Sequence, residues 1–118
     1  MYLDTMPNTG PATITRQTHC IPLPSMCPVS GNPQPGSQIT IAYTPAACFL
    51  EVYSVASYLD RYIGGWRRDG IIIRDMEQTI QTIASDCARA LGVAVDVSAD
   101  LVLDSQTMTI CASASWPE

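Results

Sequence analysis

Between residues 38 and 91 the repeat of apolar side chains changes from every second position to every third or fourth, and one kind of secondary structure cannot satisfy both. Gln38 to Thr44 (QITIAYT) alternates, with Ile39, Ile41 and Tyr43 on one side, as a half-buried strand does. Pro45 stops it. Val52, Val55, Ala56, Leu59 and Tyr62 then follow helical spacing, which predicts an amphipathic helix over Glu51 to Tyr62 ended by Gly64-Gly65. Trp66 to Gly70 (WRRDG) reads as a loop. Ile72, Met76, Ile80, Ile83, Cys87 and Leu91 predict a longer helix, about Ile71 to Leu91, closed by Gly92. Its other side carries Arg74, Glu77, Gln78, Gln81, Ser85 and Arg89, a solvated face.

The flanks return to alternation. Ala12 to Cys20 reads as a strand, and Ile21 to Met26, with Pro22 and Pro24, as an extended connector. Val93 to Asp104 alternates again, interrupted near Ser98 to Asp100 by an expected bulge. Asp104-Ser105-Gln106 is a turn, and Thr107 to Ala112 a last strand with Met108 and Ile110 inward. The order ββααββ predicts an α+β sandwich: an antiparallel sheet with both helices on one face. With 118 residues there is room for one such domain, over residues 12–113. Residues 1–20 form an arm and the first strand, the arm proper being Met1 to Gly10.

Charge narrows the function classes. The formal net charge is −5 with six Lys plus Arg, so a nonspecific nucleic-acid binder, which needs a basic face, is disfavoured. Charged residues make up 14% and hydrophobic ones 47%, a balance that suggests surface covered by other subunits. The five cysteines (Cys20, Cys27, Cys48, Cys87, Cys111) are odd in number and lack C-x-x-C spacing, which fits reduced thiols and neither zinc nor disulfides. No apolar run spans a membrane and no signal peptide is visible at the start, so a cytoplasmic setting is expected.

Chemistry concentrates in Cys27-Pro28-Val29-Ser30-Gly31-Asn32-Pro33-Gln34. Two prolines and a Gly-Asn pair make this loop rigid, and it displays one thiol at its start. It reads either as a structural turn with a buried cysteine or as a nucleophile on a stiff support. His19, the single histidine, is a conceivable partner for Cys27 but reads more readily as a structural residue.

Cys27-Pro-Val-Ser-Gly-Asn-Pro, with Ile41-Ala-Tyr43-Thr-Pro45, Glu51, Ser54 and Tyr58-Leu59, resembles the 7-cyano-7-deazaguanine reductase family and its archaeal amidinotransferase relatives. The resemblance covers about residues 21 to 112, and the cysteine loop is its specific part. It implies the tunnelling fold, whose ββααββ subunits assemble into rings with active sites between them. It also implies that Cys27 adds as thiolate to the nitrile carbon of a deazapurine, forming a covalent thioimide. Glu51 matches the family's glutamate at the start of the first helix, where a carboxylate grips the guanine-like edge; a helix N-terminal acid is the alternative reading. Ser30 falls within the substrate-binding loop.

The chain also departs from that pattern. Gln34 stands where the reductases carry the aspartate that protonates the nitrile nitrogen. Tyr53 and Ala56 stand where two lysines bind NADPH, leaving Arg67 and Arg68 as the remaining cationic candidates for that cofactor. The family's His-Glu before the second helix aligns with Ile73-Arg74 or Arg74-Asp75; Asp75 is a shortened substitute, and Arg74 is not. Three readings follow: NADPH-dependent nitrile reduction, ammonia-dependent amidine formation, or a ring protein that binds a purine or only assembles. The implied partner is a small deazapurine, free or carried on tRNA or DNA, and a homo-oligomeric ring is expected.

Overall fold

The computed structural model describes residues 2–117; Met1, where the expected arm begins, lies outside the described residues. The elements run β1 (Thr5–Pro7), β2 (Gln17–Pro22), β3 (Gln38–Tyr43), β4 (Cys48–Leu50), α1 (Val52–Asp60), β5 (Trp66–Arg68), β6 (Ile71–Ile73), α2 (Met76–Leu91), β7 (Val95–Val102) and β8 (Thr107–Ala114). Strands β2, β3, β7 and β8 form one antiparallel sheet in that order. The protein is therefore α+β, with a ββααββ core arrangement and two small two-stranded additions.

Period-two alternation decides which side of the sheet is dry. Ile39, Ile41, Tyr43, Val95, Val97, Ala99 and Leu101 are all buried, while Asp96 and Asp100 face out. The dry side receives Val55, Tyr58 and Leu59 of α1 and Ile80, Ile83, Ala84, Cys87 and Leu91 of α2 in one core. Helix α2 begins at Asp75, whose carboxylate accepts the Gln78 N–H at 2.7 Å. It ends at Gly92 (φ 69°), in the left-handed conformation that glycine adopts without strain.

Several boundaries differ from the sequence expectation. The stretch expected as a loop followed by helix is a hairpin: Trp66 to Arg68 pairs with Ile71 to Ile73 across Asp69-Gly70, both at positive φ. An Asp-Gly pair with positive φ at both central residues matches the twist of a two-residue hairpin. Helix α2 consequently starts at Met76, and Ile72 lies exposed on the hairpin. The expected bulge near Ser98 is absent, since β7 pairs residue for residue with both neighbours. The first sheet strand is Gln17–Pro22 rather than Ala12 to Cys20; it enters the segment expected as a connector, and Pro22 ends it on an edge. On α1 the buried face is Val55, Tyr58 and Leu59, with Val52 and Ala56 exposed. The arm pairs with the body, β1 lying antiparallel to β4, and Leu3 joins the core.

Candidate functional site

The connection from β2 to β3, residues 23–37, is held at its base by β7. Gln34 N–H donates to the Val102 carbonyl (2.7 Å), and the buried Ser37 hydroxyl donates to the Gln34 carbonyl (2.8 Å) while accepting the Val102 N–H (2.9 Å). The tip folds on itself: Met26 and Cys27 N–H both donate to the Asn32 carbonyl (3.0 and 2.9 Å), and Gly31 N–H to that of Cys27 (2.8 Å). Gly31, at φ 74°, provides the left-handed turn this requires. Asn32 ties the tip to the β7–β8 turn, its Oδ1 accepting the Asp104 N–H at 3.0 Å and its Nδ2 donating to Asp104 Oδ1 at 3.2 Å.

Cys27 is half-buried on this support. Ser30 N–H points at its sulfur at 3.5 Å. The Ser30 side chain and the Ser30 and Val29 N–H groups, in that order, hold the thiol below its usual range; burial opposes them, and the charge of Arg74 adds the smallest contribution, in the same direction as the donors. Ser30 Oγ accepts the Asn32 N–H at 3.1 Å, so its own proton is available to the sulfur. Cys87, by contrast, is buried in the core and pushed up to about 12, chiefly by burial.

Gln34 has a bracing role. Its Nε2 donates to the Ser30 carbonyl and to Asn32 Oδ1, both at 3.1 Å, so its amide hydrogens are engaged inside the loop. Asp75 caps α2 one residue after Arg74. Glu51 caps α1, Oε1 accepting the Tyr53 N–H (3.0 Å) and Oε2 the Ser54 N–H (2.7 Å). It lines a cleft of about 330 Å³ with Tyr2, Asp4, Tyr53 and Arg61.

Cys27 and Glu51 sit at opposite ends of α1. Gly64 N–H, just beyond the helix, donates to the Met26 carbonyl at 2.7 Å, whereas Glu51 precedes the first turn. The helix alone separates them by about 13 Å at 1.5 Å per residue. Within one chain the structure brings Cys27, Ser30 and Gln34 together, with Arg74 near enough for its charge to reach the thiol, and leaves Glu51 apart.

The two arginines also part. Alternation in β5 turns Arg67 outward and Arg68 inward. Arg68 forms a two-pronged pair with Asp86 (2.6 and 3.1 Å), between the rings of Tyr2 and Trp66, whose centroids lie 4.1 and 4.7 Å away. Burial opposes its charge, but the Asp86 bond and charge outweigh that and raise its pKa. Tyr58 donates to the same carboxylate at 2.6 Å. Arg68 is thus engaged, while Arg67 remains exposed. Asp86 was not singled out in the sequence; its position on the solvated side of an amphipathic helix concealed it. A cavity of about 360 Å³ over this pair is lined by Tyr2, Leu3, Arg68, Asp86 and Arg89, none of them in the Cys27 loop. His19 pairs with Tyr43 at 3.0 Å, whose hydroxyl also accepts the Leu50 N–H at 2.9 Å. Among the described residues no three His, Cys, Asp or Glu side chains converge as a metal site would require. Nor is any described helix long and apolar enough to cross a membrane.

Fold and site together define a two-layer α+β protein that presents a donor-ringed thiol from a rigid loop. No model of a known protein family matches the chain, and no curated protein matches it.

Proposed function

We propose that the protein is a thiol-dependent enzyme that acts on the nitrile of 7-cyano-7-deazaguanine through a Cys27 thioimide. The observation that carries this reading is the set of donors around the Cys27 sulfur, which lowers the thiol below its usual range and so raises its thiolate fraction. A thiolate is a soft nucleophile suited to a nitrile carbon and a competent leaving group afterwards. The resemblance of the loop to the 7-cyano-7-deazaguanine reductases supplies the substrate class, and the ββααββ order is compatible with their tunnelling fold. Asp75, at the cap of α2 and one residue after Arg74, is the carboxylate proposed for the purine edge from the same chain. Glu51, at the far end of α1, is proposed to serve the site of an adjoining copy in a ring, in a cytoplasmic protein.

Two fates of the thioimide follow. Reduction to the aminomethyl product consumes two hydrides, from two NADPH, with protons from solvent, and expels the Cys27 thiolate after the first. Attack by ammonia expels the Cys27 thiolate and leaves an amidine, with no change of oxidation state. The engagement of Arg68 by Asp86 favours the second, because it withdraws one of the two cations proposed for the cofactor phosphate. Intact mass after incubation with 7-cyano-7-deazaguanine should show a covalent adduct that Cys27→Ala lacks. Absence of an adduct on the wild-type chain would leave a purine-binding or purely structural ring protein. Adduct turnover with ammonium, compared with turnover on NADPH, then decides between the fates.

A further inference from the structure

We infer that Arg74 is the electrostatic partner of Cys27, holding first the thiolate and then the nitrogen anion that forms as sulfur adds to a nitrile. The second half of this role rests on the nitrile chemistry proposed above; the first does not.

Position is the first observation. Arg74 lies between β6 and the cap of α2, so a hairpin and a helix hold its backbone from both sides. The link from α1 to that hairpin docks beside the nucleophile, through the Gly64 N–H bond to the Met26 carbonyl. The next residue, Gly65, sits at φ 93°, and a Cβ there would lie 3.0 Å from Ile72 Cγ2 and 3.7 Å from Arg74 Nε. A Cβ would press on Ile72, while Arg74 Nε at 3.7 Å is at ordinary contact distance, which places the guanidinium end of Arg74 beside the backbone that docks on the loop.

Availability is the second. Arg74 is exposed, and among the described residues the ion pairs are Arg16–Asp96 and Arg68–Asp86. Its neighbour Asp75 directs Oδ1 to the Gln78 N–H. The other charged group tied to the loop, Asp104, is bonded to Asn32. The Arg74 guanidinium therefore keeps its donors free. Its charge also acts on the Cys27 thiol in the same direction as the Ser30 and Val29 donors.

Chemical need is the third. As the Cys27 sulfur forms a bond to a nitrile carbon, one C–N π pair moves to nitrogen, which must be neutralised. Gln34 cannot do this, with its amide hydrogens given to Ser30 and Asn32. Arginine stays charged and donates hydrogen bonds without giving up its proton. The proton on nitrogen comes from water, and the thiol proton leaves to solvent. Thiol plus nitrile thus gives the thioimide with no oxidant or reductant.

The test needs no nitrile. Cys27 of the full chain is alkylated with iodoacetate and with iodoacetamide across pH, and modification is read at each cysteine by peptide mass spectrometry. Wild type should favour the anionic reagent at Cys27. Arg74→Ala should reduce the iodoacetate-to-iodoacetamide ratio on the order of threefold and move the pH midpoint upward, with Arg74→Lys restoring part of both. The exposed Cys111 in the same sample should not change. Raising salt on the unmutated protein should erase the same preference, which covers a variant that fails to fold. A ratio and midpoint unmoved by both Arg74→Ala and salt would overturn the assignment. If the ratio moves but no nitrile adduct forms on the wild type, Arg74 keeps its role toward the thiolate and the proposed substrate falls.

Discussion

Ser30 contributes three times within one turn: its hydroxyl and N–H serve the Cys27 sulfur, and its carbonyl receives Gln34. Removing the hydroxyl should leave the loop in place and relax the thiol toward its usual range. Ser30→Ala is expected to slow Cys27 alkylation at pH 7 and shift its pH midpoint upward, with circular dichroism unchanged. An unchanged midpoint would separate Ser30 from thiolate stabilisation. His19 gives a second pH dependence, opposite in location. Burial lowers its pKa, so the unfolded chain binds a proton that the folded chain resists. Stability is then complete above the unfolded value of about 6.5 and falls as pH drops from there toward the lower folded value. His19 Nε2 and the Tyr43 hydroxyl lie 3.0 Å apart, and a neutral imidazole with its proton on Nδ1 would accept there from Tyr43. His19→Gln should flatten the urea midpoint between pH 7 and 5; a slope identical to wild type would refute this.

The β5–β6 hairpin separates the two arginines that a loop would have left side by side. Its inward face places Arg68 against Asp86 of α2, with side chains only 15% and 13% exposed. Taking away one partner leaves an uncompensated buried charge, so Asp86→Ala should cost about 3–5 kcal/mol in urea unfolding. A loss below about 1 kcal/mol would show the pair to be screened as a surface pair is. The outward face carries Arg67 alone. On the proposed reading, Tyr53 and Ala56 stand where the resembled reductases carry lysines, so NADPH would lack cationic contacts that contribute roughly 1.5–3 kcal/mol each. Two such losses correspond to at least about a hundredfold in affinity. Fluorescence titration should therefore show no saturation at micromolar NADPH; saturation there would restore nitrile reduction as the preferred fate.

At the level of the assembled molecule, β2 and β8 are open edges of the four-stranded sheet, and each presents unpaired backbone groups. A ring of copies joined at these edges would cover them. It would also meet the separation of Cys27 from Glu51 by supplying one from each neighbour. Light scattering at micromolar concentration should report a multiple of the 12.7 kDa chain. Cys27→Ala and Glu51→Gln, each inactive alone, should recover part of the activity when refolded as a mixture. A monomer, or a mixture as inactive as its components, would place each complete site within one chain.

Alternation over Gln38 to Tyr43 and helical spacing over Ile80 to Leu91 were enough to read the four strands of the main sheet, the two helices and the α+β class, because both periods reflect burial of one side of a regular backbone. They were not enough to read the short strands β1, β4, β5 and β6. The rigid Cys27 loop was equally readable, since proline and glycine restrict or release φ wherever they occur. The hairpin was not, although Asp69-Gly70 carried its turn signal, because Ile72 also fits a helical register with Met76 and Ile80. The remaining features depend on contacts between residues distant in the chain. Asp86 reaches Arg68 across the helix–hairpin packing, and Gly64 meets Met26 across 38 positions. Gln34 turns its amide into its own loop rather than toward the thiol, and Arg74 comes to lie near the thiol. Such pairings follow from how elements pack and where hydrogen bonds close, and local periodicity carries no record of either.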